Sequence, residues 1–199
     1  EEVGKINTER NLSNGVSIKI SALHPRYEMR KKVQIESELL PKLKELVNYA
    51  YSKNVEITID AEEQDRLSLS LYIIEKIAYE KNIKDWSGFG IALQAYGKRS
   101  FDVIYWLNNI LKKREQMHLR LVKGAYWDYE IKNAQVAGYE GYPVFSKKSL
   151  TDIAYLACAK KIFKNKKIFP KFATHNAHTI SSIHHIGKDC NYEFQRLYG

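Results

Sequence analysis

A (β/α) barrel, an α/β fold built on a parallel sheet, is what this sequence predicts, and three observations predict it. Strand-like and helix-like patterns alternate along the 199 residues. Such alternation implies parallel strands joined by helical crossovers. One side of nearly every strand is apolar, and the other carries a single polar group near the strand's C-terminal end. An open sheet covered on both faces would instead read as near-continuous apolar runs. In a barrel, alternate side chains face the axis, and the C-terminal mouth is where polar groups do chemistry.

Taken in order, residues 1–14 are a lead-in with no strand pattern, and 15–199 form the barrel portion. "VSIKIS" (16–21) is the first strand, with Lys19 between Ile18 and Ile20. Residues 33–51 carry Leu39, Leu40, Leu43, Leu46, Val47 and Ala50, a helical run that Pro41 divides in two. "VEITID" (55–60) brings Asp60 to a strand end, and 66–79 follow with leucines and isoleucines at helical spacing. "FGIALQ" (89–94) ends in Gln94, and Ser100 caps a helix bearing Val103, Ile104, Leu107 and Leu111. "MHLRLV" (117–122) sets Arg120 between Leu119 and Leu121, with Val122 closing the strand. Helices over 149–163 and 178–186 flank "KFATH" (171–175), and "YEFQRL" (192–197) supplies Gln195. Lys19, Asp60, Gln94, Arg120 and Gln195 would thus converge on one mouth. Six strands are read, the first and last of an eight-stranded barrel being missing.

Composition narrows the function classes. An apolar share of 44% and an aromatic share of 12% mark a globular chain. There is no run of about 18 apolar residues to span a membrane and no apolar stretch at the N-terminus to act as a secretory signal. Cys158 and Cys190 lack metal-ligand spacing and read as reduced, buried thiols of a cytoplasmic protein. The net charge of +9 falls largely in helical stretches such as "KKRE" (112–115) and "KKIFKNKK" (160–167). Those read as solvated faces. Lysines and aromatics do not interleave as in a single-strand platform, and no helix-turn-helix or finger pattern occurs, so no nucleic-acid partner is expected through this segment. No metal is expected either. The acids of "DAEEQDR" (60–66) with His175 and His178 could support a metal-dependent barrel hydrolase, but Lys19, Arg120 and Lys123 would repel a cation there, and Glu62, Glu63 and Asp65 read as ordinary loop and helix-start acids.

Several residues admit two readings. Lys19 either pairs with Asp60 or meets a substrate carboxylate, since a buried lysine needs an anion. In "LRLVKGAYWD" (119–128), Gly124 allows a close backbone approach, and Tyr126 and Trp127 either pack a helix or offer a flat ligand surface. "PVFSKKS" (143–149) either caps a helix or holds a phosphate through Ser146 and Lys148. Thr174, His175 and Asn176 form a donor and acceptor cluster at a strand end. Together these groups suit a ligand with a flat polar ring and an anionic portion, which a flavin nucleotide answers.

"SIKISALHPRYE", "ITIDAEEQDRL", "LQAYGKR", "LRLVKGAYWDYEIKNAQVAGYEGYPVF" and "FATHNAHT" occur in that order. Through these segments the chain resembles the proline dehydrogenase family, in the form carried by bacterial bifunctional proline-utilisation flavoenzymes. The resemblance implies an FAD-dependent (β/α)8 TIM-type barrel that oxidises L-proline to Δ1-pyrroline-5-carboxylate. Hydride would pass from proline C5 to flavin N5 and electrons on to a membrane quinone. An aldehyde dehydrogenase domain would lie elsewhere in the parent polypeptide, with the whole cytoplasmic and peripheral at the inner membrane. The resemblance further implies catalytic roles for Lys19, Asp60 and Arg120, and substrate contacts for Lys19, Tyr126 and Leu197. It implies cofactor contacts for Gln94, Arg120, Val122, Gly124, Ala125, Trp127, Ser146, Lys148, Thr174, His175, Asn176 and Gln195. Ser146 stands where a threonine is usual. The alternative reading is a truncated, noncatalytic barrel remnant.

Overall fold

The structure, a computed structural model, describes residues 1–10 and 14–197; residues 11–13 of the lead-in and the last two residues of the barrel portion lie outside the described set. Among the described residues six strands form one sheet in sequential order: β1 (Gly15–Ile18), β2 (Glu56–Ile59), β3 (Phe89–Gln94), β4 (Met117–Val122), β5 (Ile168–Ala173) and β6 (Glu193–Gln195). All are parallel, and the class is α/β. The helices are α1 (Glu2–Arg10), α2 (Lys32–Glu38), α3 (Leu40–Ser52), α4 (Leu67–Ala78), α5 (Ser100–Ile110), α6 (Trp127–Val136), α7 (Lys148–Ile162) and α8 (Ala177–Ile186). Among the described residues no helix is long and apolar enough to cross a membrane. The chain divides into two compact units, one of Glu1–Ile91 with Ile110–His118, the other of Ala92–Asn109 with Leu119–Gly199.

In the first unit, Ile57, Ile59 and Ile91 from one side of the strands are buried with Leu43 and Val47 of α3 and Ile73 and Ile77 of α4. Burial of this kind contributes roughly 1.5–3 kcal/mol per large aliphatic side chain. Pro41 occupies the first turn of α3, where its missing N–H costs nothing, and α2 ends just before it. The strands' other side is polar yet also buried: Thr58 and His118 are bonded at 2.8 Å. Gly90 of β3 makes room for this pair, because a Cβ there would come within 3.0 Å of both the ring and the carbonyl of His118. Arg114 is buried beneath Phe89 and donates to Ala78 O (2.6 Å) and Trp86 O (2.9 Å). Burial pushes its pKa down to about 10.

In the second unit, Leu93, Leu119 and Leu121 are buried with Ala154, Tyr155 and Cys158 of α7. The Tyr155 hydroxyl donates to Leu121 O at 3.1 Å, and its burial raises its pKa. Asn108 and Asn165 join the α5 and α7 sides at 2.7 Å.

The structure departs from several expectations. The first strand stops at Ile18, because a 3-10 turn over Ile20–Leu23 begins at Lys19, and Lys19 is exposed rather than buried. β5 starts at Ile168, earlier than read, with Pro170 inside it, and β6 is shorter than read. Two helices were not foreseen, and both lack an apolar stripe: α1 buries Gly4 and Asn7, α6 buries Glu130 and Ala134. Ser100 is the first residue of α5, and its hydroxyl accepts from the Cys158 thiol at 3.5 Å. Of the two free cysteines, Cys158 is buried, which raises its pKa, but Cys190 is exposed.

Candidate functional site

In the first unit, Lys19 and Asp60 follow Ile18 and Ile59, which are register partners on β1 and β2. The Asp60 N–H donates to Ile18 O at 2.9 Å, so both side chains leave from the C-terminal ends of adjacent strands. Glu62, two residues on, is buried and structural. Its carboxylate accepts from the Ser21 N–H (3.0 Å), from the Ser21 hydroxyl and from Arg66 Nη1 (3.2 Å). It therefore fastens the turn after Lys19 to the start of α4. In sequence Glu62 is indistinguishable from an ordinary loop acid; only its burial sets it apart. Among the described residues no group of three His, Cys, Asp or Glu side chains could hold a metal ion.

The second unit brings most of the expected cofactor residues into bonded sets. Gln94 is buried at the end of β3, and its Oε1 accepts from the Ala125 N–H at 2.9 Å. Arg120 on β4 donates Nε to Gln195 Oε1 at 2.7 Å, and Gln195 Nε2 donates to Glu193 Oε1 at 2.5 Å. Both ends of the Gln195 amide are thus engaged in orienting Arg120. Val122, Arg120 and Tyr126 are half-buried, while Ala125 and Trp127 are exposed. The Trp127 indole N–H donates to Phe145 O at 3.0 Å.

Gly124 has φ +147°, in the region that favours glycine. A Cβ there would collide with the Tyr96 ring, so the close approach the glycine permits is to Tyr96. Nothing local in "LQAYGKR" reveals this role of Tyr96. Before α7, no side-chain cap forms at Lys147, so "PVFSKKS" does not cap its helix. Lys148 lies on the surface, 76% exposed, and pairs with Asp152 Oδ2 at 2.7 Å; Lys123 holds Asp152 Oδ1 at 2.5 Å. The two lysines, Lys123 first, hold the Asp152 carboxyl below its ordinary range.

The strand-end cluster after β5 is partly spent on itself. Asn176 caps α8, its Oδ1 accepting from Thr179 N (2.9 Å) and Thr179 Oγ1 (3.0 Å). Its own N–H donates to Thr174 Oγ1 at 3.1 Å, and Thr174 N donates to Gln195 O at 3.1 Å. His175 and Ser146 are exposed, and Leu197 is 95% exposed.

Sequential parallel strands with polar groups at their C-terminal ends define a protein of the TIM-type (β/α)-barrel class. Comparison with known proteins makes this particular. The proline dehydrogenase family profile matches residues 2–199, and the chain belongs to that family. The family is flavin-dependent. The bifunctional protein PutA of Salmonella typhimurium is 46% identical over 205 residues, covering 99% of this chain and 16% of that protein. PutA of Rhizobium meliloti is 43% identical over 93% of this chain and 15% of its own length. Among solved structures, Bradyrhizobium japonicum PutA superposes with a TM-score of 0.90 at 45% identity, over 93% of this chain and 19% of that one. PutA of Bdellovibrio bacteriovorus inactivated by N-propargylglycine gives 0.87 at 32% identity, over 92% of this chain and 20% of that one. The chain therefore spans about a sixth of the length of the curated relatives it matches.

Proposed function

We propose that this chain is the part of an FAD-dependent proline dehydrogenase that carries much of the flavin site and one carboxylate contact, and that the polypeptide containing it oxidises L-proline to Δ1-pyrroline-5-carboxylate. The observation that carries the reading is the bonded set of Gln94 with Ala125 and Arg120 with Gln195. These are residues the resemblance assigns to the cofactor, and the fold commits their hydrogen bonds to one another.

The donor chemistry fits an isoalloxazine and an anionic tail. Gln94 supplies an amide, Arg120 a cation, and the exposed Trp127 indole a flat surface beside Ala125. Lys148 is a surface cation suited to a diphosphate. Val122, Gly124, Ser146, Thr174, His175 and Asn176 complete the proposed contacts. FAD, when bound, would supply the hydride-accepting ring. The protein's part is binding and charge. Lys19 offsets the proline carboxylate beside Asp60, Tyr126 and Leu197 bound the substrate, and Arg120, locked by Gln195, favours negative charge on the adjacent ring. By the same reading electrons pass to a membrane quinone, and an aldehyde dehydrogenase domain of the parent polypeptide consumes the product.

The test is an FAD titration of the polypeptide that contains this chain, followed by proline-dependent dye reduction. Stoichiometric flavin binding and turnover that requires proline are expected. A protein that folds but takes up no flavin overturns the reading, and one that binds flavin without oxidising proline supports the noncatalytic alternative.

A further inference from the structure

The geometry points to Tyr96 as a positioning residue that sets the Gly124–Trp127 loop, and through it the substrate-side tyrosine, Tyr126. This rests on the proposed proline dehydrogenase reading for the role of Tyr126, but not for the contacts themselves. Tyr96 is only 2% exposed. Four of its groups reach two separate segments, Lys123–Tyr126 and Phe145. Its hydroxyl accepts from the Tyr126 N–H at 3.3 Å. Its ring fills the space over Gly124 that a Cβ would need. Its own N–H donates to Lys123 O at 2.9 Å, and its carbonyl accepts from the Phe145 N–H at 2.8 Å. Phe145 in turn takes the Trp127 indole on its own carbonyl.

The loop is therefore clasped at successive amides: Ala125 by Gln94 and Tyr126 by Tyr96, residues two apart on one stretch of chain. Tyr126 also stands at the start of α6, where no side chain of its own caps the helix. An N–H at such a position has no intrahelical acceptor, so a supplied acceptor fixes the angle at which the chain enters the helix. A shift of the loop would move Tyr126 and Trp127 together. Displacements of about 1 Å are enough to cost large factors in substrate use.

Tyr96→Phe keeps the ring and removes the hydroxyl, and with it the acceptor offered to the Tyr126 N–H. In the whole polypeptide, without proline, hydrogen exchange at the Tyr126 amide should quicken about tenfold while the amides of β4 are unchanged. In the flavin-loaded protein, KM for proline should rise about fivefold with kcat within twofold. Replacing Tyr96 with 3,5-difluorotyrosine, assayed at about pH 6 so that its more acidic hydroxyl stays protonated and is the weaker acceptor, should give smaller changes in the same direction, and serves if the phenylalanine variant folds poorly. Unchanged exchange at Tyr126 refutes the clasp. Faster exchange with an unchanged KM leaves the contact but overturns its positioning role. Wild-type protein that binds no FAD overturns the functional reading itself, and the positioning role with it.

Discussion

Gly90→Ala should be among the most damaging small substitutions in the chain. The added methyl would come within 3.0 Å of the ring and the carbonyl oxygen of His118. The ring can move only by giving up its 2.8 Å bond to Thr58, and the carbonyl belongs to the buried backbone around β4. Overpacking a core costs about 1–3 kcal/mol. Breaking a buried hydrogen bond adds roughly 1–3 kcal/mol. Alanine returns roughly 0.4–1 kcal/mol by restricting the unfolded chain. The net loss is therefore about 3 kcal/mol, read as a lowered urea midpoint with an unchanged slope in the protein carrying this chain. The double variant Gly90→Ala, His118→Ala should lose less than the sum of the single variants, since the ring collision is gone, though the carbonyl contact stays. A single-variant loss below about 1 kcal/mol, or strict additivity, would refute the account of Gly90 as clearance for His118.

Asn176→Ala removes the cap of α8 and should cost about 1 kcal/mol of stability, with Asn176→Ser restoring most of it. A fall in FAD affinity without any stability loss would instead mark Asn176 as a cofactor contact alone. Asp152→Asn should weaken the fold by about 1 kcal/mol at neutral pH, a modest figure because the carboxylate is partly solvated. The carboxyl's folded-state pKa is lowered, so its contribution is complete above the ordinary aspartate value of about 4 and lost as pH falls through the lowered value. The stability of Asp152→Asn should accordingly depend less on pH below about 4 than that of the wild type, which an acid series of thermal melts would check. Arg114→Ala strands the buried carbonyl of Ala78 and the half-buried one of Trp86 and should cost about 3 kcal/mol, measured by urea unfolding.

Legibility followed the strength of the local pattern. Where apolar residues recur at helical spacing, as at Leu67–Ala78 and Lys148–Ile162, the helices lie within about a residue of where periodicity puts them. Where a helix buries almost no apolar side chain, as α1 and α6 do, periodicity has nothing to report. β1 was overread for the opposite reason: the alternation of "VSIKIS" continues past Ile18, but Glu62 captures Ser21 and bends the chain into a turn. Polar residues at strand ends were found by parity. Their hydrogen-bond commitments were not, and these separate Gln195, occupied with Arg120 and Glu193, from a residue that simply faces a ligand.

By itself the sequence determined the α/β class, the order of the six strands and the long motifs of the proline dehydrogenase family, because periodicity and motif are properties of neighbouring residues. Tertiary structure alone decided that Gly124 makes room for Tyr96, that Gly90 makes room for His118 and that Glu62 is a buried anchor. Each of those depends on steric exclusion or desolvation by a partner at least 28 residues away along the chain (Gly90 to His118), and such a partner leaves no mark on the local pattern.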